Sequence, residues 1–175
     1  MESEPSTMVY REEERKRHRP PGVRVLFIGE SPPANGTFFC RGDSNLWRYT
    51  HEAFRSIYGA DFDQDNGFCE FFMSIGCYPE DLCLDPLNRL ADEERRRICE
   101  ASVDSLAERI SPLSPEGVVC VKASIVRQVE SAMAKAGLQA VPLHKLPFPS
   151  CGHHQEYVRA LTTLIEELRT DGVIM

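Results

Sequence analysis

Apolar residues recur along the chain in two alternating rhythms: short unbroken runs, and longer stretches in which they return every three or four positions. The run 23–28, VRVLFI, reads as a buried strand stopped at Gly29. Asp43 or Ser44 then offers an N-cap to a helix carrying Leu46, Trp47, Thr50, Phe54 and Ile57 on one face, with Gly59 placed to end it. The apolar run 69–78, CEFFMSIGCY, is read as containing the second strand, although a run this short carries the same signature as a helix. A helix opening at Asp92, with Glu93 and Glu94 in its first turn, buries Cys99, Val103, Leu106 and Ile110 and stops before Pro112. GVVCV, 117–121, is the third strand. The helix after it carries Ile125, Val126, Val129, Ala132, Met133 and Ala136, and Gly137 stands where a terminating glycine belongs. LQAVPL, 138–143, is the expected fourth strand, and a last helix runs from about His153 to Arg169.

Strands alternating with helices in this way imply a three-layer α/β/α sandwich with a central, mainly parallel four-stranded sheet. There is no internal repeat, so residues 22–175 are expected to form one domain. Residues 1–21 read as a charged, flexible tail with room for a short helix: polar ESEPST, then the mixed run REEERKRHR, then Pro20-Pro21. A sharper alternative makes Arg15, Lys16, Arg17 and Arg19 an arm that touches phosphates.

Composition narrows the function classes only slightly. No run approaches a membrane span, and no signal-peptide core follows the charged N-terminal stretch. Seven cysteines without a secretory signal are read as reduced thiols of a cytoplasmic protein, and their spacing suggests no metal site. No cofactor is implied, and a monomer is expected. The net charge of −7 speaks mildly against bulk electrostatic attraction to nucleic acid, though an acidic chain can still carry a basic cleft.

In open α/β sheets ligands bind beyond the carboxyl ends of the strands. That rule selects the loops 29–39 and 145–154. In the first, Glu30 directly follows a buried strand, Pro32 and Pro33 stiffen the chain, and Phe38-Phe39 sets aromatic surface beside the carboxylate. A carboxylate, exposed amides and a ring suit a flat polar ligand. The bland alternative has Glu30 paired with an arginine and Phe39 packed in the core.

The order GESPP, NGTFF and NLW resembles the uracil-DNA glycosylase superfamily, whose first strand ends in a Gly-x-x-Pro loop that places the attacking water. Gly29-Glu30-Ser31-Pro32 and Gly36-Thr37-Phe38-Phe39 are similar to the Gly-Glu-Ala-Pro-Gly and Gly-x-x-Phe motifs of its iron–sulfur branch, where the phenylalanine stacks on the flipped base. Asn45-Leu46-Trp47 resembles the Asn-x-Phe-Trp of its mismatch-specific branch. Leu146-Pro147-Phe148-Pro149-Ser150 stands where the superfamily carries its second motif. The resemblance implies a DNA glycosylase that flips and excises a damaged or deaminated base. Glu30 and Ser31 would guide water, Gly29, Pro32, Phe39 and Ser74 would hold the base, and the loop from Leu146 to Ser150 with His153 and His154 would contact DNA. Arg41, Lys122 and Lys145 are candidates for phosphates.

The chain also departs from that pattern. Ser31 stands where the best-studied branch has an Asp, and Leu146 where a His or Asn usually contacts the leaving base. Around the second strand only Ser74 is present in place of a base-reading Asn. Cys83 and Cys99 are spaced like that branch's later cysteine pair, but no Cys-x-x-Cys precedes the first strand. The competing reading is a catalytically inactive module that binds a nucleobase, nucleoside, nucleotide or nucleic-acid end. A third is a small-molecule hydrolase that uses Glu30 on another glycosidic bond.

Overall fold

A computed structural model describes residues 7–34, 39, 44–59, 62 and 67–175. Four strands, β1 (Val25–Gly29), β2 (Cys77–Asp81), β3 (Gly117–Val121) and β4 (Leu143–Leu146), form an all-parallel sheet in the order β2-β1-β3-β4. Around it lie α1 (Thr7–Arg17), α2 (Asn45–Tyr58), α3 (Gly67–Ser74), α4 (Asp92–Ala101), α5 (Val103–Ile110), α6 (Val126–Lys135) and α7 (His154–Thr170).

The strand period of two builds the three layers. Leu26, Ile28, Val118 and Cys120 face a core shared with Cys99, Leu106, Ile110, Val129 and Ala132 of α4, α5 and α6. Val25, Phe27, Val119 and Val121 face the opposite core, with Phe54, Phe68, Phe72, Tyr157, Leu161 and Ile165 of α2, α3 and α7. Burial on both faces explains why β1 and β3 read as unbroken apolar runs. Across the second core, Thr50 Oγ1 and Tyr157 OH share a buried hydrogen bond of 2.7 Å that ties α2 to α7.

Local signals explain several boundaries. Ser44 caps α2 by accepting from the Trp47 amide at 3.1 Å, and Gly59 ends it at φ 59. The expected 92–110 helix is divided at Ser102, whose hydroxyl donates back to the Ile98 carbonyl at 2.8 Å. After α6, Gly137 at φ 76 and the Leu138 amide on the Met133 carbonyl (2.8 Å) close a Schellman turn. Leu138 is therefore a helix stop, and β4 begins only at Leu143, later than the 138–143 run suggested. The run 69–78 also divides differently: Phe68 and Phe72 place one helical face in the core, Gly76 turns the chain at φ 85, and β2 follows.

The N-terminal charge run departs most from expectation. It forms α1, and Lys16 and Arg17 point to water, as a solvated segment would. Arg15, however, is only 4% exposed. Its Nη1 lies 2.8 Å from Glu80 Oε1, its Nη2 lies 3.3 Å from Asp81 Oδ2, and its carbonyl accepts from Tyr78 OH at 3.1 Å. Residues 7–17 thus form a helix that brings Arg15 to the buried Glu80 at the end of β2. Arg15→Met should cost about 1–3 kcal/mol in urea unfolding, since it removes one of the two cations bonded to the buried Glu80 carboxylate and leaves Arg109 as the other. Arg17→Met, at a 71% exposed side chain, should stay within about 0.5 kcal/mol.

Candidate functional site

All four strands run the same way, so their carboxyl ends meet at one side of the molecule. A cavity of about 470 Å³ opens there, within the size range of small-ligand sites. Its wall includes Gly29, Glu30, Ser31, Pro32, Pro33 and Phe39 from the loop after β1, and Ser44, Asn45, Leu46 and Thr50 from α2. Pro79, Glu80 and Asp81 come from β2, Asn88 and Arg95 from the segment beyond it, Val121 and Lys122 from the end of β3, and Phe148 from the loop after β4.

Glu30 is the centre of this wall. Its carbonyl accepts from the Cys83 amide at 2.8 Å, and the preceding Gly29 carbonyl accepts from Leu82 at 2.9 Å, which continues the β1–β2 pairing into the loop. A Cβ at Gly29 would come within 2.9 Å of Asp81 Oδ1, so glycine permits this close approach. The half-buried Glu30 side chain accepts from Arg95 Nη2 at 2.5 Å and from Lys122 Nζ at 2.7 Å, both on Oε2. Oε1 has no hydrogen-bond partner among the described residues. Burial pushes the carboxyl pKa up, but the bonds from Lys122 and Arg95 outweigh it and hold the group below its usual range. Glu30 is therefore an anion at neutral pH.

A second charged group backs the first. Glu80, one residue inside the end of β2, bonds Arg15 from α1 and Arg109 from α5 through the same Oε1. Arg109 also donates to the carbonyls of Asp81 at 2.9 Å and Leu82 at 3.1 Å.

The sequence candidates fall into three groups. Gly29, Glu30, Ser31, Pro32, Phe39, Lys122 and Phe148 are brought together around the cavity. Ser31 Oγ accepts from the Leu87 amide at 3.4 Å, and the Phe39 ring packs 5.3 Å from that of Phe72. Of the second-motif loop, Phe148 is 37% exposed at the rim. Leu146 and Pro149 are buried, Pro147 is half-buried, and Ser150 donates its amide to the Phe148 carbonyl at 2.8 Å. Cys151 at φ 50 and Gly152 at φ 89 then turn the chain into α7.

Other candidates sit elsewhere. Ser74 lies at the amino end of β2 and donates to the Phe71 carbonyl at 2.7 Å, so its expected role at the base is withdrawn: the strand it was to end begins after it. His153 pairs with Glu156 at 3.2 Å, His154 stacks on Tyr49 at 5.1 Å, and Lys145 pairs with Glu130 at 3.0 Å; none lines the cavity. Arg41 lies outside the described residues.

The sequence reading missed Arg95, Asn88, Glu80 and Asp81. Placing the end of β2 at Asp81 would have exposed the last two by the same carboxyl-end rule. Nothing in the run 93–97, EERRR, distinguishes Arg95 from a solvated helix cation.

The cysteines need one revision as well. Cys69 is disulfide-bonded, which overturns the expectation of seven reduced thiols. Cys83 and Cys99 are unbridged, buried, and 3.7 Å apart at sulfur, and burial pushes the Cys99 thiol up to about 12. Among the described residues, no group of three or more His, Cys, Asp or Glu could hold a metal ion, and no helix is long and apolar enough to cross a membrane. No protein-family model matches the chain, and no curated protein matches it.

The Glu30 cluster predicts a titration. A lowered pKa means that the stability Glu30 contributes is present above its unfolded-state value and is lost as pH falls through the folded-state value, which lies below 4.5. In carbon-detected NMR, the Glu30 carboxyl should titrate below 4.5 in the native protein. In the Arg95→Ala, Lys122→Ala double variant it should titrate above 4.5, because burial is the largest single influence on the group.

Proposed function

We infer that the protein is a DNA glycosylase-like hydrolase that takes a damaged or deaminated base into the cavity and cleaves its N-glycosidic bond. The observation that carries this reading is the meeting of Glu30, Phe39 and Phe148 on one cavity, from two loops more than a hundred residues apart in the chain. An all-parallel sheet in the order β2-β1-β3-β4 supports it only as a fold-level analogy.

In this reading the flipped base stacks on Phe39, which Phe72 backs. Phe148, exposed at the rim, wedges into the space that the base vacates. As the bond to the base breaks, its electron pair stays with the base and the sugar becomes cationic. Glu30 is ionised beside it, with Oε1 available to the sugar or to water. Water adds its oxygen to C1′, and its proton ends on the released base. Ser31 has no acidic group, so Glu30 takes the anionic role in this reading.

One observation favours the binding-module reading. Two cations already occupy Glu30, so the cluster carries a net positive charge that would also suit a ligand with an anionic group. Single-turnover cleavage of labelled duplexes carrying uracil, hypoxanthine, xanthine or a G·T mismatch separates the two. The expected result is cleavage of at least one lesion at low salt, reduced about 100-fold or more by Glu30→Gln. If no lesion is cleaved, no duplex is bound and a nucleoside raises the melting temperature, the hydrolase reading fails and the module stands.

A further inference from the structure

We propose that Arg95 and Lys122 stabilise the departing base, taking up the negative charge that develops on it as the N-glycosidic bond breaks. The inference rests on the hydrolase reading of the same cavity and assigns the half of the reaction that Glu30 cannot serve. Heterolysis creates two opposite charges, and a carboxylate helps only the sugar.

Asn45 and Asn88 on the cavity wall can donate hydrogen bonds to the base but cannot neutralise charge on it. Among the described residues lining the cavity there is no histidine, and the second-motif position is Leu146, which has no hydrogen-bond donor on its side chain. Glu30 is held ionised, so it has no proton to give. A base that leaves as an anion calls for a cation.

Arg95, from the first turn of α4, and Lys122, just beyond β3, both line the cavity, with side chains 27% and 26% exposed. Both donate to Oε2, so they stand side by side on one edge of Glu30 and leave Oε1 without a bond from any described residue. Two cations on one carboxylate leave one positive charge uncompensated. That excess is misplaced if the cluster serves only the cationic sugar, and it is well placed if a base leaves as an anion next to it. Guanidinium keeps its charge across the working pH range and has five donors, of which a single carboxylate oxygen uses one. Glu80 and Asp81 also line the cavity, and Arg15 and Arg109, which lie outside its lining, balance their two charges, so the excess at Glu30 stands.

The test compares leaving bases that differ in acidity: uracil against 5-fluorouracil, and hypoxanthine against xanthine, in otherwise identical duplexes under single-turnover conditions. Wild type, Lys122→Met, Arg95→Gln and Lys122→Arg are run together, with thermal melts to confirm folding. Lys122→Met and Arg95→Gln should slow excision of the poorer leaving base by about 100-fold, and that of its more acidic analogue by roughly a tenth as much. Lys122→Arg keeps the charge and should restore most of the rate. Equal losses on both members of a pair mean a structural role only and overturn the inference while leaving the hydrolase reading intact. A wild-type protein that cleaves none of the four overturns the inference, and one that also leaves a G·T mismatch intact and binds no duplex overturns the hydrolase reading with it.

Discussion

A carboxylate withdrawn from water persists only where cations meet it, and the chain creates this demand at two neighbouring strand ends. Glu30 follows β1, and Glu80 lies one residue inside the end of β2, aligned with Ile28 in the parallel register. Each holds two cations, and none of the four comes from the strand that bears the carboxylate. Arg15 arrives from α1, Arg95 from α4, Arg109 from α5 and Lys122 from the end of β3. Removing any one takes a charged hydrogen-bond donor from a buried or half-buried carboxylate. The ion pairs therefore decide where the elements around the cavity must sit, while the two apolar cores supply the bulk of the burial.

The same constraint shapes the chemistry. A parallel sheet gathers the carboxyl ends of all its strands on one side, so loops distant in sequence share one cavity. Glu30 is fixed at that edge by backbone bonds as well as by its cations, through the Cys83 and Leu82 amides. It is thus preorganised: a ligand meets a carboxylate already ionised and already oriented, rather than one that must be desolvated and turned. The cations that hold it are available in turn to whatever negative charge enters or forms beside it.

Several errors in the sequence reading share one source. Hydrophobic periodicity could not separate α3 from β2 within 69–78, and placing the strand too early put Ser74 at the wrong end of the sheet and hid Glu80 and Asp81. LQAVPL looked like a strand because Leu138 is apolar, yet that side chain is buried by a helix-terminating turn. The charge run at the N-terminus contains one arginine unlike its neighbours. Arg15 and Arg17 are chemically identical in the sequence, and only the position of Glu80 makes one buried and the other solvated.

What the sequence determined by itself was everything that short-range chemistry controls. The α/β alternation follows from hydrophobic period, the α2 and α6 boundaries from Ser44, Gly59 and Gly137, and the candidate loop from a carboxylate placed directly after a buried strand. The tertiary structure alone decided which charges meet. Residues 65 and 92 positions away reach Glu30, and residue 15 reaches Glu80. No periodicity encodes such pairings, because an ion pair depends on distance in space, and that distance is set only once the sheet and its helices have packed.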